Sequence, residues 1–118
     1  MQKGGIFIFS NRNRIIKKAV AKTIAAFADR TPKIYQHFFY GAFDIAPQHL
    51  VVWYLFESDT EMETAKSSGY CDELKKATIC NLINLGYPQE AIGTHNISFT
   101  TKEDIDNKAN GDYHLYFQ

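Results

Sequence analysis

The apolar positions of the chain change period several times. Ile6-Phe7-Ile8-Phe9, flanked by Gly4-Gly5 and by the polar Ser10-Asn11-Arg12-Asn13, is a short β-rich run and predicts a first strand. Ile16, Val20, Ile24 and Phe27 then recur at i, i+4, i+8 and i+11, with Lys17, Lys18 and Lys22 off that stripe. Such spacing predicts an amphipathic helix from about Asn11 to Ala28, with Asn11 or Asn13 as its N-cap. Thr31-Pro32 closes it, because the residue before a proline is pushed out of the helical region. Ile34 to Phe43 and Leu50 to Phe56 are β-branched and aromatic runs joined by residues 44–49, and predict a hairpin. The second run, Leu-Val-Val-Trp-Tyr-Leu-Phe, is apolar at consecutive positions. It therefore reads as a central strand covered on both faces, or with one face at an interface.

Ser58, followed three residues later by Glu61, carries the signature of a capping box and starts a second helical region. That region bends around Ser67-Ser68-Gly69, resumes near Asp72, sets Leu74, Thr78, Leu82 and Leu85 on one face, and stops at Gly86 and Pro88. Thr94 to Thr100 alternates as a half-wet strand, residues 102–109 form a short solvated helix closed by Asn110-Gly111, and Tyr113 to Phe117 reads as a last aromatic strand. The expected class is α+β: an antiparallel sheet with two main helices in ferredoxin-like βαββαβ order, plus a C-terminal helix and strand. If Ile6 to Phe9 instead extends the first helix, the order becomes αββαβαβ around a smaller antiparallel sheet.

At 118 residues, with 45% hydrophobic and 22% charged residues, the chain reads as a single domain, 1–118, able to bury one core. Its apolar stretches are too short to span a membrane, and its two cysteines, Cys71 and Cys80, are too far apart on one helix to pair. Both are expected as small buried residues in a reducing, cytoplasmic setting. The net charge is zero but unevenly distributed: up to Ile34 eight basic residues face Asp29 alone, roughly +7, and the remainder carries roughly −7. One basic and one acidic surface would follow from that division.

Chemistry-bearing patterns are sparse. Arg12, Arg14, Lys17 and Lys18 cluster where the first helix is expected to begin, where free backbone N–H groups favour an anion, and form the candidate ligand-binding group. His37, His95 and His114 lie in or beside predicted strands and form a candidate polar site on the sheet if those strands meet; His49 is the fourth histidine. No spacing of histidines or cysteines marks a metal site, and no glycine-rich phosphate loop or nucleophile elbow occurs, so no cofactor is expected. Phe39-Tyr40-Gly41-Ala42-Phe43 lacks the order of an RNA-recognition signature, which argues against nucleic acid.

The last quarter, Ile97-Ser98-Phe99-Thr100-Thr101-Lys102-Glu103-Asp104-Ile105 through Gly111-Asp112-Tyr113-His114-Leu115-Tyr116-Phe117, resembles the ending of many small bacterial proteins. In these a strand enters a short acidic helix and a Gly-x-aromatic strand follows. Several such families are immunity proteins, and the resemblance implies a domain that binds and blocks a toxin within the cell, with no catalytic residue. The expected function is non-enzymatic protein binding through acidic helices and exposed aromatics, with a protein partner or a second copy of the chain as homodimer. The alternative is a small-ligand or enzymatic site built on the three histidines with a carboxylate.

Overall fold

The computed structural model describes residues 4–117, with side chains from residue 11 onward. Helix α1 (Gly4–Ala26) leads through a turn to strand β1 (Gln36–Tyr40), which pairs antiparallel with β2 (Val51–Phe56). Helices α2 (Asp59–Ser67) and α3 (Tyr70–Asn84) carry the chain across to β3 (Ile97–Thr101), which pairs parallel with β2. Two short helices, α4 (Lys102–Ala109) and α5 (Tyr113–Tyr116), complete the described chain. The sheet order is β1-β2-β3, so β2 alone has a neighbour on each side.

The α+β class holds, but neither the ferredoxin-like order nor the antiparallel sheet does. Ile6 to Phe9, expected as a strand, lies within α1, and Asn11 and Asn13 are therefore helix interior and not caps. A four-residue apolar run satisfies the helical and the strand period equally, and here helical continuation prevails. Tyr113 to Phe117, expected as a strand, enters a helical turn instead, because Asp112 Oδ1 caps it by accepting from the Leu115 N–H at 3.1 Å. The sheet is mixed because a two-helix crossover separates β2 from β3, long enough to return the chain to the end where β2 began. Thr94–Asn96 is a single 3₁₀ turn, and the strand starts only at Ile97.

Alternation along β2 points Val52, Tyr54 and Phe56 to one face, which α1, α2 and α3 cover with Ile16, Val20, Ala65, Leu74 and Leu82. Leu55 is also fully buried, on the opposite face. The helical stripe continues into Ile24 and Phe27, which are partly buried against the core. Cys71 is buried as expected, whereas Cys80 is exposed on the outer side of α3.

A few polar groups fix the geometry within this core. Tyr54 Oη lies 2.8 Å from Thr78 Oγ1, which itself donates to the Leu74 carbonyl at 2.7 Å. The single hydroxyl proton of Thr78 is used there, so Tyr54 donates and ties β2 to α3. Buried Asn96 donates to the Gln48 and Leu50 carbonyls at 3.1 and 2.8 Å and accepts from the Gly93 N–H at 2.9 Å, joining the entrances of β2 and β3. At their exits α2 and α4 cap one another. Thr101 Oγ1 accepts from the Asp104 N–H at 2.9 Å and donates to Asp59 Oδ1 at 2.6 Å, while Glu103 Oε1 accepts from the Asp59 N–H at 2.8 Å. Gly41, at φ 115°, has no room for a side chain: a Cβ there would sit 2.0 Å from the His49 carbonyl oxygen.

Burial pushes the Tyr54 hydroxyl up to about 12, and Tyr87, also buried, up to about 12. An unfolded tyrosine ionises near 10, so the unfolded chain loses protons first and stability falls as pH rises from about 10 towards 12. Tyr54→Phe should therefore cost about 0.5–1.5 kcal/mol at pH 7, from the lost hydrogen bond. It should also flatten the alkaline decline, as urea unfolding at pH 7, 10 and 11 would measure.

Candidate functional site

Strand β1 is the exposed edge of the sheet. Gln36, His37 and Tyr40 are exposed and Phe38 and Phe39 half-buried, whereas no residue of the opposite edge strand β3 is exposed. β1 carries no formal charge, no proline and no bulge, and among the described residues no strand pairs with its outer side. Native edge strands are commonly protected by such features.

The pairing register distributes its side chains to two faces. His37 and Phe39 lie opposite Tyr54 and Val52, on the face covered by α1. There Lys17, Val20, His37, Phe38 and Phe39 line an open depression of about 390 Å³. The walls withdraw water from the His37 imidazole, which lowers its pKa from the ordinary value. Lys17 is exposed and has no ion-pair partner among the described residues.

Phe38 and Tyr40 lie opposite Trp53 and Val51, on the face covered by α5. A second open depression of about 540 Å³ is lined there by Tyr40, Trp53, Lys108, Ala109, Leu115, Tyr116 and Phe117. The Phe117 ring lies 4.9 Å from Trp53 and 5.0 Å from Phe38 between centroids, edge-on to the latter, and Trp53 Nε1 donates to Tyr40 Oη at 3.1 Å. α5 is held over the sheet by Tyr113 Oη, which donates to Gln36 Oε1 at 3.0 Å, and by Tyr116 Oη, which bonds Asp104 and lies 2.9 Å from Thr100 Oγ1. Burial, reinforced by the Asp104 carboxylate, raises the Tyr116 pKa, and the same hydrogen bond lowers that of Asp104. Lys108 Nζ sits 3.3 Å from Asp104 Oδ1 at the rim.

The candidate residues read from the sequence do not assemble into one centre. Arg12 is structural: its Nη1 donates to the Phe43 and Asp44 carbonyls at 2.7 and 3.0 Å and secures the β1–β2 loop. Arg14 and Lys18 are exposed on α1, and because that helix starts at Gly4 the group does not surround a helix N-terminus. Lys17 lines the depression on the α1 face. Nor do the histidines converge. His37 is on β1, level with Tyr54 and Phe99, whereas His95 is exposed in the turn before β3, beyond β2 and four residues ahead of Phe99, and His114 is exposed on α5 beyond the opposite face. Among the described residues no three His, Cys, Asp or Glu side chains are grouped to hold a metal ion, and no helix is long and apolar enough to cross a membrane. The aromatic surround of β1 carried its sequence signal in the clustered aromatics of residues 35–43 and in Trp53, but no motif assigned it a role. Compared with protein-family models, curated proteins and solved structures, the chain matches none.

Trp53 is the sole tryptophan, so its emission reports on this cup. Phe117→Ala should shift that emission to the red and raise its quenching by acrylamide, at a cost of roughly 1 kcal/mol for a half-buried ring. Unchanged emission would mean that Phe117 does not pack on Trp53.

Proposed function

We propose that the domain acts by non-catalytic binding of a protein partner, which it occludes or organises through the β1 edge and the aromatics around it. The observation that carries this reading is the uncharged and exposed β1 edge, unpaired on its outer side among the described residues, with an open depression on each face. Free backbone N–H and C=O groups in a row, next to Tyr, Trp and Phe side chains, are what a protein partner can use for both affinity and register. The separate positions of His37, His95 and His114 weigh against the alternative of a shared polar site on the sheet.

The acidic helices, expected as part of the contact surface, contribute less. Asp59 and Glu103 are engaged in the reciprocal caps of α2 and α4, and Asp104 holds Tyr116 and Lys108. A role that needs only occlusion agrees with the immunity-type resemblance of the C-terminal quarter, which implies blocking of another protein within the cell.

A photo-crosslinking residue at Tyr40, compared with the same residue at exposed Asn84 on α3, tests the location directly in cells that express the chain. A discrete protein adduct should form from position 40 and not from position 84. No adduct from either position, or identical adducts from both, would contradict the assignment.

A further inference from the structure

Taking that binding role as given, we infer that the partner supplies an extended segment that adds to β1 as a fourth strand, with carboxylates on one of its faces and apolar side chains on the other. An added strand must alternate its side chains between the two faces of the sheet, and the two depressions beside β1 ask for different chemistry. On the α1 face, among the described residues, the only formally charged one lining the depression is Lys17, which has no carboxylate partner among them and lies next to His37. Arg14 and Lys18 are also exposed on α1. A carboxylate at each position facing α1 is complementary to that surface. On the opposite face the lining is Tyr40, Trp53, Leu115 and Phe117, and the rim lysine Lys108 is already shared with Asp104 at 3.3 Å. Aliphatic or aromatic side chains suit that cup.

A second copy of the chain fits the same edge less well. The register that pairs all five β1 residues with those of a two-fold mate is centred on Phe38. It places the two His37 residues diagonally across the new strand pair, about 7–8 Å apart on the α1 face, each with its own Lys17 beside it. The two Lys17 ammonium groups would be brought to the same face of the joined sheet, with no carboxylate lining either depression to offset them. A partner strand with carboxylates on that face removes the conflict.

Three acetylated and amidated heptapeptides test the inference on the full chain. The first is Glu-Phe-Glu-Val-Glu-Phe-Glu, the second replaces every Glu by Lys, and the third keeps the first composition with the alternation scrambled. The first should bind with amide shifts in a ¹H–¹⁵N spectrum centred on residues 36–40, and the other two should bind at least tenfold more weakly. Lys17→Glu, at an exposed position that leaves the fold intact, should weaken the first peptide at least fivefold. Equal binding of the scrambled peptide would overturn strand addition, and equal binding of the lysine peptide would overturn the charge assignment. A concentration-dependent dimer with the same β1 shifts in the absence of peptide would assign the edge to a second copy instead. If crosslinking from position 40 captures a protein while no heptapeptide binds, the binding role stands and the acidic-strand inference falls. If the first peptide binds as described while position 40 captures nothing, strand addition stands and the binding role in the cell falls.

Discussion

Burial of β2 on both faces is the constraint from which the rest of the structure follows. Val52, Tyr54 and Phe56 on one side and Leu55 on the other are withdrawn from water almost completely, and Trp53 partly. A strand of this kind must have a layer above and a layer below. Helices α1, α2 and α3 supply one layer and the short α4 and α5 the other. Tyr54 shows how tightly the first layer is specified, because its buried hydroxyl reaches Thr78 on α3. The second layer is thinner, and it leaves the space beside Trp53 and Phe117 open.

Serving β2 from both sides also determines which edge of the sheet is left free. β3 runs directly from a turn pinned by Asn96 into α4, and the reciprocal caps involving Thr101, Asp59 and Glu103 secure its far end. β1 has no comparable fastening. It is anchored by its pairing with β2, by Tyr113 on Gln36, and through the Arg12 clamp on the loop that follows it. It carries no formal charge, and Lys17 lies beside it on the α1 face without an ion-pair partner among the described residues.

The parts of this arrangement legible in the sequence are those set by local chemistry. The Ile16, Val20, Ile24 and Phe27 stripe, the Ser58 cap, the break at Gly69, the β1–β2 hairpin and the two-sided burial of β2 are each signalled by the residue types within one short stretch of chain. The missed features depend on partners distant in sequence or on runs that satisfy two periods. Ile6 to Phe9 and Tyr113 to Phe117 are apolar and short, and their helical state follows from continuity with α1 and from the Asp112 cap. The parallel pairing of β3 follows from where the α2–α3 crossover returns the chain, which no local pattern encodes. For the same reason the histidines, adjacent in a hypothetical sheet order, are dispersed in the observed one. The edge character of β1 was hidden because its sequence reads like that of any hairpin strand.

Hydrogen exchange of the isolated chain, resolved amide by amide, tests most directly the claim that β2 is held from both sides while β1 is left open. Exchange should be slowest along residues 51–56 and alternate along residues 36–40, with inward amides protected and outward amides exchanging nearly as fast as a loop. Uniform protection of all five β1 amides at the level of β2 would contradict the claim, since another segment or another copy would then already occupy the edge.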